Sequence, residues 1–376
     1  MDTRALRNNG LGNLKSFKRA RQELRVEFTL FIVKTKEGLA MRHSSIIFGV
    51  LVLGLIFGTS IGLAADKTYT LRFTTVAGPT QPIVQGMEKF AEVAGKLSGR
   101  KIQVKVFHSG QLADQKTSIL GMMKGTIEMS IDASASWFAD LASYPEIGVL
   151  EVAYLYRDLH HMYRVLLGPI GQQYWDNLAK KSGLRVLDVW YLGTRQLNFI
   201  EKVGVVKTPA DLKGVKLRMP NVEAWLDVGR ALGAKPTPLG FGEVYMALKT
   251  GTIDGQDNPL PTDFAQKFYE VTKYIVLTDH MIGYVTPTIS QKVWQEMPEE
   301  YKVYIKKALD VARNYSNYLI LDQEASLLGR FQEEFDMKVV IPEKKAFMES
   351  AQTFYGQEKF DKRWGAGMYS KIQNVK

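Results

Sequence analysis

Cysteine is absent from the 376-residue chain. That excludes disulfides, cysteine-ligated zinc, thiol catalysis and a lipid-modified N-terminal cysteine. It does not exclude export, because a chain of this length can bury a sufficient core without covalent staples. Histidine is scarce as well: His43, His108, His160, His161 and His280 are the whole complement. None has metal-ligand spacing, and the neighbours His160 and His161 do not share a helix face. No P-loop and no nucleophile elbow occurs. Gly240-Phe241-Gly242 lacks the third glycine of a dinucleotide fingerprint and follows no clear strand. Nothing here favours catalysis, so the chain is not expected to be an enzyme, and no metal or other cofactor is expected.

What is present describes a globular protein, with 45% hydrophobic and 23% charged residues and enough length for two domains of ordinary size. The one long apolar run is Ile46–Leu63, 18 residues without a charge. It follows the basic start Met41-Arg42-His43 and precedes the small residues Ala64 and Ala65. Basic, apolar and small-residue regions in that order read as a signal peptide over residues 41–65, so the chain is expected in the periplasm. A transmembrane anchor is the competing reading, since 18 residues can just span a bilayer. Residues 1–40 are basic and unpatterned and read as a non-native extension before a start at Met41, or else as a cytoplasmic tail on such an anchor.

The charge follows the same division. Setting aside the 10 basic and 4 acidic residues of 1–65 from totals of 49 and 39 leaves 39 and 35, about +4 in place of +10. The high isoelectric point belongs mainly to the segment expected to be removed, so nucleic acid is not expected as a partner. A mild positive balance is compatible with an anionic ligand.

Beyond residue 66, Tyr69–Thr75 alternates like a strand, Pro82–Leu97 has helical spacing, and Lys101–Phe107 alternates again. Thr117–Lys124 reads as a helix and Met129–Asp132 as a short strand. This β-α-β-α-β order argues for a parallel sheet covered by helices. Leu184–Trp190 and Val215–Met219 read as strands, and Val222–Leu232 and Phe241–Lys249 as helices. Thr208-Pro209-Ala210-Asp211 reads as a helix start. From Pro298 to Phe335 only Gly329 interrupts a helical pattern that would reach about 50 Å, long enough to brace two domains. Two α/β lobes with a ligand cleft between them follow.

Three segments hold candidate chemistry. Gly193-Thr194-Arg195-Gln196 follows the strand that ends near Tyr191. In Lys216–Asn221 the apolar Leu217 and Met219 share one strand face, and Arg218 points the other way, directly before Pro220. Asp254–Pro259 reads as a turn-rich loop. Taken alone, Arg195 reads as a solvated surface residue and the loop as a simple turn. Trp137, Trp190 and Tyr191 could line a cleft or pack in the core.

In order along the chain, Phe107–Leu112, Leu212–Asn221, Phe241–Leu248, Asp254–Pro259 and Gln266–Val271 resemble segments of one family. It is the solute-binding proteins of tripartite ATP-independent periplasmic (TRAP) transporters. The resemblance implies a two-lobe periplasmic binding protein-like fold with crossing hinge strands and a long bridging helix. Lobe I would take residues 66–192 plus 284–323, and lobe II residues 193–283 plus 324–376. It implies that Arg218 pairs with a ligand carboxylate, that Arg195 faces the same group, and that Asn258 hydrogen-bonds it. Asn221 would lie at the ligand and Phe241 would pack on its body. A planar guanidinium fork suits a carboxylate independently of any family.

The implied function is capture of a small organic anion by cleft closure and delivery to the transporter's membrane subunits, by a monomer. A ligand-binding partner of a periplasmic sensor system is the alternative. Sialic-acid-binding members carry a glutamate and an arginine after the third strand. Here Asp132–Trp137 contains no arginine, which argues against sialic acid and leaves C4-dicarboxylates, uronates and other sugar acids, keto acids and aromatic acids, with a dicarboxylate as the first expectation.

Overall fold

Alternating and helical patterns after residue 66 become the elements they predict. The computed structural model describes residues 67–376, and the expected extension (1–40) and signal peptide (41–65) lie outside the described residues. β1 (Tyr69–Thr74), α1 (Pro82–Leu97), β2 (Ile102–Phe107), α2 (Gln115–Lys124) and β3 (Met129–Ala133) follow in order. β1 pairs in parallel with both β2 and β3. α1 starts with proline in its first turn and buries Ile83, Met87, Phe90 and Ala94. α2 begins where Asp114 accepts the Thr117 N–H at 2.7 Å and ends at Gly125 in the left-handed conformation. α3 (Ala135–Leu141), α4 (Leu159–Leu166) and α5 (Pro169–Ser182) complete this part.

The expected strand Leu184–Trp190 is broken. β4 covers Leu184–Val186, and β5 runs from Trp190 to Phe199. The break sits at Asp188, whose carboxylate accepts from Val189 N–H at 2.9 Å and Trp190 Nε1–H at 3.1 Å and pairs with Arg313 at 2.5 Å. Local side-chain bonds of this kind compete with a ladder. Arg195 is therefore inside β5, not after a strand. The expected helix at Thr208 is one 3-10 turn, Pro209–Leu212, in which Asp211 accepts the N–H groups of Lys207 and Thr208.

β6 (Lys216–Met219), α6 (Glu223–Ala231), β7 (Lys235–Pro238) and α7 (Val244–Lys249) follow. A 3-10 turn, Phe241–Glu243, leads into α7. The Asp254–Pro259 segment is not a loop: Gly255–Pro259 forms β8, buried throughout. The chain continues through α8 (Leu260–Ala265), β9 (Tyr274–Ser290), α9 (Gln291–Gln295), α10 (Glu299–Glu333) and β10 (Lys338–Val340). It ends with α11 (Lys344–Tyr355), α12 (Glu358–Trp364) and α13 (Met368–Gln373). Among the described residues no helix is long and apolar enough to cross a membrane.

The strand order is β2-β1-β3-β9-β5-β8-β6-β7, with β4 and β10 also on β9. The 17-residue β9 is shared by two half-sheets. Its later residues pair with β3 and β4, and its earlier ones with β5 and β10. β5 crosses along it with register shifts at Tyr191/Gly193 and Arg195/Leu197. Gly193 lies opposite Gly283 with φ of 120°, and a Cβ there would sit 2.5 Å from the Pro259 Cβ. Only glycine admits so close a crossing.

α10, 35 residues and about 50 Å long, braces both halves. Ala308, Leu309 and Ala312 pack in one core with Met87 and Phe90, and Leu327 and Phe331 in another with Leu260 and Ile275. The result is the two-lobe α/β fold with crossing strands and a bridging helix.

Candidate functional site

The sheet crossing places Arg195, Arg218, Asn258 and Phe241 around one cavity of about 80 Å³. Polar contacts between the adjacent strands β5 and β8 hold Arg195. Its Nε donates to Asp257 Oδ2 at 2.6 Å, and Nη2 donates to Asp257 O at 2.7 Å and Asn258 Oδ1 at 3.2 Å. His280 Nε2 lies 3.2 Å from the same carboxylate, and its Nδ1 lies 2.8 Å from Thr278 Oγ1. Burial pushes the Asp257 carboxyl up, but the Arg195 charge and the His280 hydrogen bond outweigh it and hold it well below the usual carboxylate range. Arg195 is 5% exposed, so the reading of a solvated surface residue fails. The Trp225 ring lies 4.6 Å from its guanidinium carbon.

Arg218 is held differently. It is 2% exposed. Its Nε and Nη2 both donate to the backbone carbonyl of Leu239, at 3.0 and 2.8 Å. Among the described residues it has no ion-pair partner. Burial pushes its pKa down from 12.5 to about 10, with Asp257 and Arg195 acting in opposite directions. It stays charged at neutral pH. A buried guanidinium without a carboxylate is a costly arrangement unless something else supplies the anion. Phe241 stands 5.8 Å from its guanidinium carbon and packs edge-on to Phe268.

The opposite wall comes from the first half. Gln81 before α1, Asp132 on β3, and Ser134, Trp137 and Glu151 line it. Asp132 accepts from Thr75 Oγ1 at 2.6 Å and Val76 N–H at 3.0 Å, and burial pushes its carboxyl up to about 7. Glu151 accepts from Ser136 N–H at 2.8 Å and is likewise pushed up by burial.

Asn221 stands apart: it is exposed, and its neighbour Pro220 lines the cavity. Trp190 is fully buried core, Tyr191 bonds to Thr194 and Glu324, and Trp137 reaches the cavity. Sequence reasoning missed Trp225, Glu151 and the Asp257–His280 support. Trp225 follows Asn221 by four positions on the next helix, a signal that was readable. Glu151 follows a 3-10 turn, Pro145–Leu150, with no periodicity to mark it. Among the described residues no group of three or more His, Asp or Glu could hold a metal ion.

Two α/β halves that share crossing strands, with a buried cationic cavity at the crossing, define an extracellular solute-binding protein. The chain belongs to the bacterial extracellular solute-binding proteins, family 7, which it matches over residues 73–362. It is 30% identical over 318 residues to the sialic acid-binding periplasmic protein SiaP of Vibrio cholerae, covering 84% of this chain and 96% of the relative. A TRAP periplasmic solute-binding protein from Roseobacter denitrificans, with bound 3-deoxy-D-manno-oct-2-ulosonic acid, is 34% identical with a TM-score of 0.76. That match covers 82% of this chain and 99% of the other. Another such protein, from Sulfurospirillum deleyianum with bound succinate, is 28% identical with a TM-score of 0.75, covering 82% and 100%.

Proposed function

We propose that this chain captures a small organic anion outside the cytoplasm and delivers it to the membrane subunits of a TRAP transporter. The observation that supports the reading is Arg218, a buried cation beside a second arginine and without an ion-pair partner among the described residues. The ligand carboxylate is the missing partner. Arg218 grips it, Arg195 and Asn258 support it, and Phe241 packs on the ligand body. Asn221 would reach the ligand only if the cleft rearranged around it, and we give it no contact in this state.

Lobe I takes residues 66–192 plus 284–323, and lobe II residues 193–283 plus 324–376. The lobes open to admit the anion and rotate together around it at the β5–β9 crossing. The protein acts as a monomeric carrier and not as an enzyme, and residues 41–65 serve as a cleaved signal peptide that sends it to the periplasm. Curated relatives of this family are named for sialic acid, 2,3-diketo-L-gulonate and C4-dicarboxylate binding, which supports an organic acid as cargo.

A thermal-shift screen against small carboxylic acids tests the reading, because a ligand at 100 times its Kd adds about 2.7 kcal/mol of stability. Calorimetry with Arg218→Ala then locates the site. Unchanged affinity for the best acid would reject it.

A further inference from the structure

We propose that the cavity is built for a polyhydroxy monocarboxylate, a sugar acid with one charged end and a hydroxylated chain, and that Asp132 and Glu151 read its hydroxyls. The inference rests on the carboxylate site just proposed and departs from the dicarboxylate expectation.

The two walls differ in charge. Among the described residues, the only cations that line the cavity are Arg195 and Arg218, both on the second half. The Arg195 charge helps to push the pKa of Arg218 down. The first-half wall presents two carboxyl groups, Asp132 and Glu151, which are 7% and 3% exposed. A second ligand carboxylate would meet these acidic groups, with no cation on this wall to pair with it among the described residues.

The charge count leads to the same ligand. Two guanidinium charges face one resident carboxylate, Asp257, which leaves one positive charge to balance. One ligand carboxylate neutralises it. A dicarboxylate would bury a net negative charge, and buried charges without partners are not tolerated. Burial pushes the Asp132 and Glu151 carboxyls upward, so both resist adding negative charge of their own.

The first-half wall has what hydroxyls need. A carboxyl offers acceptor sites, and its protonated form also offers a donor. Gln81, 3% exposed and lining the cavity, adds an amide with donors and an acceptor, and no side-chain hydrogen bond engages it among the described residues. Trp137 on this wall and Trp225 on the arginine side also line the cavity, and apolar ring surface of this kind suits the C–H face of a sugar chain. At about 10–15 Å³ per water-sized group, the cavity of about 80 Å³ admits several such groups.

The test is a length-matched series measured by calorimetry on the full chain. It comprises the hexonates gluconate, galactonate and mannonate, the hexarates glucarate and galactarate, adipate, hexanoate and galactitol. At least one hexonate should bind about 100-fold more tightly than adipate, hexanoate and galactitol, and more tightly than either hexarate. Asp132→Asn and Glu151→Gln should each weaken that hexonate by about 10-fold. If adipate or a hexarate binds as tightly as the hexonates and Arg218→Ala abolishes that binding, the class assignment is overturned while the carboxylate site stands. If the two wall variants leave hexonate affinity unchanged, the hydroxyl-reading role is overturned. If no acid of the series binds but a shorter carboxylate does so and loses its affinity in Arg218→Ala, the class assignment is overturned while the carboxylate site stands; if no small carboxylate binds at all, the site itself is overturned.

Discussion

Replacing Arg218 by methionine should separate binding from folding. Methionine keeps an unbranched stem and removes the charge and its donors. Two opposing terms then act on the unliganded protein. A pKa pushed from 12.5 down to about 10 means that holding the charge in this site costs about 3 kcal/mol, and the substitution removes that cost. The Leu239 carbonyl loses the donors at 3.0 and 2.8 Å, a loss of about 1–3 kcal/mol for a buried acceptor. The two nearly cancel, with a small surplus toward stability. Unliganded Arg218→Met should therefore melt at or slightly above the wild-type temperature. Its affinity for a carboxylate should fall by about 100-fold or more, because two charge-assisted hydrogen bonds at about 1.5–3 kcal/mol each are lost. Differential scanning calorimetry and titration calorimetry on the same preparation read both. A structural arginine would give the reverse, a large drop in melting temperature with affinity retained, and that result would refute the reasoning.

Asp257→Ala should behave in the opposite way, since it strands Arg195 in a buried site; a loss of about 3–5 kcal/mol in urea unfolding is expected, and a loss below 1 kcal/mol would argue that Arg195 finds another partner. Gly193→Ala should lose about 2 kcal/mol or more, because the added Cβ would meet the Pro259 Cβ at 2.5 Å from a backbone φ of 120°; an unchanged melting temperature would show that the crossing strands can separate freely. Glu324, on α10, accepts from Thr194 N–H and Tyr191 OH, and burial pushes its carboxyl up from 4.5 to about 7. The folded protein thus holds this proton more tightly than the unfolded chain, and ionisation weakens the fold as pH rises between those two values. Glu324→Gln should match wild-type stability near pH 5 and exceed it increasingly toward pH 8, and a pH-independent difference would count against the assignment.

Much of the fold was legible because its signals are local. Pro82–Leu97 carries proline at its start, helical spacing along its length and Ser98-Gly99 at its end, and it forms a helix over those same residues. The Pro298–Phe335 pattern likewise became Glu299–Glu333. Asp254–Pro259 defeated local reading because its residue types favour turns, yet Gly255–Pro259 is a central strand. Its polar side chains are satisfied by partners no window contains: Gln256 donates to Asn198 and Asp263 at 2.7 and 2.8 Å, and Asp257 holds Arg195. Arg195 taken without the resemblance reads as a surface residue for the same reason, since its counter-ion lies 62 positions away. Arg218 was placed by strand alternation and the following proline, but its lack of an ion-pair partner among the described residues is a three-dimensional fact. The acidic wall was the least legible part, since Asp132 and Glu151 come from separate segments and meet the arginines only through the fold.

The division of charge between the walls gives closure a physical basis. A carboxylate alone can satisfy Arg195 and Arg218 from the second half of the molecule, with no need for the first half to approach. A ligand closes the cleft only by what it gains from both walls at once. Moving a two-state equilibrium from 1:99 to 99:1 needs about 5.5 kcal/mol of preference for the closed form. Two or three hydroxyl bonds to the wall carboxyls, at up to about 3 kcal/mol each where the acceptor is ionised, can reach that requirement. Capture and closure are then separate functions of separate walls. Small-angle scattering should find Arg218→Met open because it holds no ligand. Asp132→Asn, saturated with the same acid, should still be occupied yet remain more open than wild type. If saturated Asp132→Asn closes as fully as wild type, the first-half wall does not drive closure, and the energy must come from the arginine side alone.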